Sequence, residues 1–221
     1  NALYQNTTAD DNTAVGAYAL DANTTGASNT AVGANALDAN TTAANNTAVG
    51  KNALKATTTG AVNVAVGTNA LLTNITGTRN SALGVGALQL NTASDNVAIG
   101  YHALDTNAGG SNNTAVGTEA MDANTSGSAN VAVGYRALDA NTTADNNVAI
   151  GQSALGANTT GTGNTAVGKN ALDANTTADN NTAVGLDAGG AITTGTRNTF
   201  IGSLAGDATD DGAENVAVGY G

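Results

Sequence analysis

Side chains able to do chemistry are few enough in this sequence to be taken one at a time. His102 is the only histidine and there is no cysteine, so a thiolate nucleophile, a thiolate metal site and a disulfide framework are all absent. His102 follows Tyr101 at a repeat position held elsewhere by Asn35, Asn69 and Arg136, which makes it a solvent-facing residue. The serines are scattered, with no base that the sequence sets beside them. An enzyme is therefore not expected, and no catalytic, cofactor-binding or metal-binding residue is assigned.

Repetition is the other source of chemistry, because a side chain that recurs at a fixed interval forms a row. Asp21, Asp38, Asp105, Asp122, Asp139, Asp173 and Asp207 all follow an Ala-Leu, Ala-Met or Ala-Gly step. Stacked, neighbouring copies would lie ~5 Å apart and repel unless screened or bridged. Calcium takes six to eight oxygens, but the Gly-Gly-x-Gly-x-Asp loop of calcium-binding rolls is missing. Lys55, Leu72, Gln89 and Gly156 also interrupt the row. The carboxylates read as solvated turn residues. The Thr24-Thr25, Thr41-Thr42, Thr142-Thr143, Thr159-Thr160 and Thr176-Thr177 pairs would form outward ranks of the kind an ice-binding surface needs, although adjacent residues of a strand face opposite ways. Sequons such as Asn23-Thr24-Thr25 would carry glycans in a secreted eukaryotic protein. Tyr18, Tyr101 and Tyr135 share one part of the repeat and read as cover for its edge, with sugar stacking as the alternative.

What positions these rows is a repeat. Asn12-Thr13-Ala14-Val15-Gly16 returns from Asn29, Asn46, Asn63, Asn80, Asn96, Asn113, Asn130, Asn147, Asn164, Asn181, Asn198 and Asn215. The interval is 17 residues except between Asn80 and Asn96, where it is 16. Such a period marks a solenoid, one supersecondary unit stacked on the next. The fold class expected is all-β, a parallel β-solenoid or β-roll of about 13 coils of 17 residues in a single domain over 1–221. At about one strand spacing per coil it would be a rod of roughly 60 Å.

Within a coil, the second and fourth positions (Thr30 and Val32, or Val64 and Val66) share a face of an extended segment and are expected to point inward. The intervening Ala, replaced once by Phe200, is then expected to face outward against another chain, or to be held by recent duplication. The fifth residue is always Gly, which permits a turn with positive φ or a close backbone approach. The Leu that follows Ala, from Leu20 onward, is expected to fill the interior, with Gly189 and Gly206 in its place late in the chain. The Asn heading each repeat should form an amide ladder. Thr suits a second, more exposed strand, giving two strands and two turns per coil and no helix. The 16-residue copy loses its residue in the turn around Thr92-Ala93-Ser94, which should leave the strands in register.

The net charge of −11 argues against nucleic acid, and no apolar run is long enough to span a bilayer. With one Phe and no Trp among 221 residues, each coil buries little. Burial of a few kcal/mol per coil stands against ordering costs of ~1–2 kcal/mol per residue, and association at the Ala face would supply the remainder. The two ends fall inside repeats, as a processed product or a section of something longer would.

The Asn-Thr-Ala-Val-Gly-x-x-Ala-Leu unit, with the variants Asn96 to Gly100 and Asn147 to Gly151, resembles the head repeats of trimeric autotransporter adhesins. It is still more similar to 17-residue repeats of bacterial surface fibres and phage tail-fibre proteins that carry a C-terminal self-cleaving chaperone. Asn198-Thr199-Phe200-Ile201-Gly202 resembles a variant from such fibres. The resemblance implies a parallel β-roll, three chains packed about a threefold axis, and an extracellular, cell-surface or virion location. The function it implies is a structural fibre segment of an adhesin or tail fibre, a stalk or head mediating attachment to a host-surface protein or glycan. A self-polymerising extracellular filament subunit and an ice-binding solenoid are the alternatives.

Overall fold

The computed structural model describes residues 1–208 and 211–221. Among them are thirteen strands and no helix: β1 (Thr13–Val15), β2 (Thr30–Val32), β3 (Thr47–Val49), β4 (Val64–Val66), β5 (Ser81–Leu83), β6 (Val97–Ile99), β7 (Thr114–Val116), β8 (Val131–Val133), β9 (Val148–Ile150), β10 (Thr165–Val167), β11 (Thr182–Val184), β12 (Thr199–Ile201) and β13 (Val216–Val218). Each is the second to fourth residue of one repeat, where in all but β5 and β12 β-branched residues flank an Ala. Two compact units are distinguished, Asn1–Ser111 and Asn112–Gly221. In the first, β1 to β6 pair in parallel and in chain order. In the second, β7 to β13 do the same. The chain is an all-β parallel β-solenoid.

The strand faces are the reverse of the sequence-based expectation. The central Ala points into the coil: Ala31, Ala48 and Ala65 in the first unit, and Ala115, Ala132 and Ala149 in the second, have no exposed surface. The flanking Thr, Val and Ile point outward and are half-buried or exposed. The reason is width. Opposite the strand stands the fully buried Leu of the Ala-Leu step, Leu37, Leu54 and their equivalents, and the space left takes only a methyl group. The exception supports this. Phe200 replaces Ala and is buried, and both neighbouring Leu positions are Gly. A Cβ on Gly189 would stand 2.8 Å from the Phe200 ring, and one on Gly206 would also collide with it. One large side chain thus occupies the room vacated by two. The invariant Ala is therefore no sign of a second chain packed over it.

A second strand does not form. The Thr-Thr stretch is a bend, because left-handed corners leave no extended run long enough. They fall at the seventh, ninth and last positions of the coil, as at Asn35 (φ 58°), Leu37 (φ 53°) and Asn45 (φ 61°). Asn tolerates this conformation, whereas a branched Leu pays for it at ~1–2 kcal/mol. Burying that Leu returns ~1.5–3 kcal/mol, and its N–H is tied to the next coil, as in Leu37 N to Ala53 O at 3.0 Å.

Two amide ladders fill the polar part of the interior. In the expected one, the main-chain N–H of each head Asn donates to Oδ1 of the head Asn one coil earlier. Asn46 donates to Asn29 at 3.0 Å and Asn63 to Asn46 at 2.9 Å. Most of the Nδ2 groups donate to a carbonyl fourteen residues on, as Asn46 to Gly60 O at 3.0 Å, and in the shortened coil Asn80 to Ala93 O thirteen on. The other ladder, at the twelfth position, has no counterpart in the sequence reading. Asn40 Nδ2 donates to Asn23 Oδ1 at 2.8 Å, and Asn141 Nδ2 to Asn124 Oδ1 at 2.8 Å. These buried amides need partners, and the stack supplies most of them. The 16-residue copy keeps strand register, Ser81 opposite Val97, as expected.

Candidate association surface

Because the strands are in register, the outward residues of each unit form two straight files. The fourth-position file runs Val15, Val32, Val49, Val66, Leu83, Ile99 in the first unit. In the second it runs Val116, Val133, Ile150, Val167, Val184, Ile201, Val218. No member is polar. Leu83 is 50% exposed, Ile150 40% and Ile201 43%, whereas Ala82, Ala149 and Phe200 beside them are buried. The second-position file mixes Thr with Val64, Ser81, Val97, Val131 and Val148. Neither file contains a charge in a chain of 23 charged residues (17 acidic, 6 basic). Large contiguous apolar patches are uncommon on monomeric proteins and mark contact surfaces.

Charges line the margins of these files instead. Before the strand, at the last position of the preceding coil, Arg79 pairs with Asp95 through Nε–Oδ1 at 2.6 Å and Nη2–Oδ2 at 2.8 Å. Arg197 meets Glu214 at the same place in the second unit, at 2.8 Å. Arg79's hydrogen bonds hold the Asp95 carboxyl below its usual range. Beyond the strand, Arg136 Nε donates to Glu119 Oε2 at 2.7 Å and its guanidinium lies 5.5 Å from the Tyr135 ring centre. An uncharged strip with a polar margin has the anatomy of a protein–protein interface.

His102 is half-buried rather than freely exposed: its Nδ1 lies 2.6 Å from Asp105 Oδ2 and its ring meets Tyr101 edge-on. Its imidazole also lies over Gly86, where a Cβ would come within 3.0 Å of the ring. Asp21, Asp38, Asp139 and Asp173 are half-buried and Asp207 is exposed. Burial pushes the Asp139 carboxyl up, against the pull of Arg136. Burial, then the Asp187 carboxylate, pushes Asp173 up. Of each Thr pair, only the second is a free outward hydroxyl. The first is tied to the next coil, as in Thr24 Oγ1 to Thr41 O at 2.9 Å. The Asn23 sequon is closed to glycan, since the side chain has no exposed surface and its Nδ2 donates to Gly26 O at 3.0 Å. Tyr18, Tyr101 and Tyr135 are exposed, as expected of edge residues.

Compared with protein-family models, curated proteins and solved structures, the chain matches none.

Proposed function

We propose that this β-solenoid is a structural fibre segment of an extracellular adhesin or tail fibre, in which copies of the chain pack along their uncharged strand faces, three to a fibre. The observation that carries the reading is the Val/Ile/Leu file of each unit, in which Val15, Leu83 and Ile99 of the first and Ile150, Val184, Ile201 and Val218 of the second are exposed and the rest half-buried. Covering one such residue per coil is worth roughly 1 kcal/mol, against an association cost of about 4–15 kcal/mol. On these terms association needs a run of many coils and not a short stretch. The file's composition favours a protein partner over a lattice of ice, because the Thr row beside it is interrupted by Val and Ser. Attachment would come from exposed side chains repeated along the other faces, so that weak contacts add by multivalency.

Light scattering tests the association. A chain of 21.2 kDa should give a concentration-independent trimer of ~64 kDa, a threefold multiple as closed symmetry requires. A variant with Val49→Lys and Val133→Lys should be monomeric with an unchanged far-UV spectrum. A wild-type monomer at every concentration would overturn the proposal. A mass that grows with concentration would favour an open filament instead.

A further inference from the structure

At three steps of the buried ladder at the twelfth position, among the described residues, an amide oxygen is left without a donor from the next coil. Asn40, Asn74 and Asn175 each carry an Oδ1 that is buried and accepts no hydrogen bond. In the coil after Asn40 the equivalent residue is Thr57, whose hydroxyl donates elsewhere, to Asn74 O at 2.7 Å. After Asn175 it is Ile192, which has no donor. After Asn74 it is Asn91, but there the coil is the shortened one, and Asn91 Nδ2 turns to Ala93 O only two residues on, at 2.8 Å. Two substitutions and one deletion thus remove the same rung.

Lengths of neighbouring bonds mark two of these three places, those after Asn40 and Asn175. Where the rung is intact in interior coils, the amide after the ladder Asn reaches the next coil at 2.8–3.1 Å: Thr24 N to Thr41 O 2.9 Å, Thr125 N to Thr142 O 2.9 Å, Thr142 N to Thr159 O 3.1 Å, Thr159 N to Thr176 O 2.8 Å. Where it is missing, Thr41 N to Thr58 O is 3.4 Å and Thr176 N to Thr193 O is 3.3 Å. The hydroxyl bonds of the same threonines follow suit. They are 2.9 Å from Thr24 and 3.0 Å from Thr159, but 3.3 Å from Thr41 and 3.4 Å from Thr176. An unsatisfied buried acceptor and slackened bonds both lower the cost of parting two coils.

We propose that the three missing rungs are built-in opening points, at which adjacent coils separate before other interior coils of the same unit. A repeat array has only nearest-neighbour contacts, so a weakened step opens locally while its neighbours hold. In a fibre under load, such steps set where it yields. The inference concerns single chains and does not depend on how copies associate.

Hydrogen exchange on the full chain reads it directly. Thr24, Thr41, Thr159 and Thr176 all follow Asn, so their intrinsic exchange rates match and any difference reports opening. Thr41 and Thr176 should exchange at least about five-fold faster than Thr24 and Thr159, the worth of one neutral hydrogen bond. Thr57→Asn should restore the rung, slowing Thr41 about five-fold and leaving Thr176 unchanged. Asn40→Thr should move the gap one coil toward the N-terminus and speed Thr24; it keeps the test decisive if the first variant fails to fold. Equal protection at all four threonines, or a folded Thr57→Asn chain in which Thr41 exchanges as before, would overturn the proposal.

Discussion

Substituting Gly50 by Ala tests how tightly one coil sits on the next. Gly50 has φ +137°, and a Cβ built on it would lie 2.5 Å from Gly67 O and 2.7 Å from Gly67 C. Ordinary contact begins at 3.4 Å, so the coils must part by 0.9 Å at that point. The obstacle is backbone, which has no rotamer to move aside. The bonds that stretch are Gly67 N to Val49 O, now 2.8 Å, and Asn69 N to Lys51 O, now 3.0 Å. Losing both costs about 2 kcal/mol, and the strained backbone adds about 1–2 kcal/mol. A loss of roughly 3–4 kcal/mol is therefore expected for Gly50→Ala. Gly219 provides the control, because it has φ +143° but nothing within 4 Å of its Cβ position. Gly219→Ala should lose only the strain, about 1–2 kcal/mol. Urea unfolding of the full chain, followed by far-UV circular dichroism, measures both. A Gly50→Ala variant no less stable than Gly219→Ala would refute the reasoning.

Two further outcomes follow from the interior and its charges. Phe200→Ala should cost about 3–5 kcal/mol, a typical large-to-small core loss. Adding Gly206→Leu to it should recover part of that loss, whereas Gly206→Leu alone should destabilise; calorimetric midpoints of the three variants check this. Asp173 has its carboxyl held above the ordinary 3.8 by burial and by Asp187, so the folded chain binds that proton more tightly than the unfolded one. The resulting stability is present below the ordinary pKa and lost as pH rises through the raised value. Asp173→Asn should therefore raise the unfolding midpoint at pH 7, with the advantage fading as pH falls below about 4. A variant less stable than wild type at pH 7 would contradict this.

Much of the architecture is written plainly in the sequence, because the period fixes it. A head Asn every 17 residues places strand on strand in register, and the shortened copy after Asn80 does not disturb Ser81 opposite Val97. Gly at the fifth position and Leu at the ninth were legible for what they do. Which way the strand faces was not. In a three-residue strand, Thr30 and Val32 against Ala31 gives one alternation and no second strand to calibrate it. Hydrophobicity alone sends Val inward. The deciding fact is the narrow gap beneath Leu37, a distance no periodicity reports. Phe200 with Gly189 and Gly206 was the one available clue, since a volume exchanged among three positions means that those positions face one another. The ladder through Asn23 and Asn40 escaped because Asn followed by Thr-Thr also reads as a polar turn and a sequon. Only its recurrence at a fixed place, with Thr57 and Ile192 as exceptions, could have shown that it is interior.

The candidate surface followed from the same inversion. An outward Ala would place association on the small-residue file. The structure moves the outward apolar file to Val15, Val32, Val49 and their successors, which are half-buried or exposed and whose side chains have far more area to bury. An interface reading therefore keeps its strand and changes its residues.

Cysteine accessibility at two adjacent positions addresses that inversion most directly, in a chain that has no cysteine of its own. Ala48 is buried and Val49 is on the outward file. In the folded chain, Ala48→Cys should resist thiol reagents until denaturant is added. Val49→Cys should react readily when the chain is dissociated and, when it is assembled, form disulfides between copies on oxidation. Rapid labelling of Ala48→Cys in the folded chain, with Val49→Cys inert and uncrosslinked, would contradict both the coil interior and the surface described above.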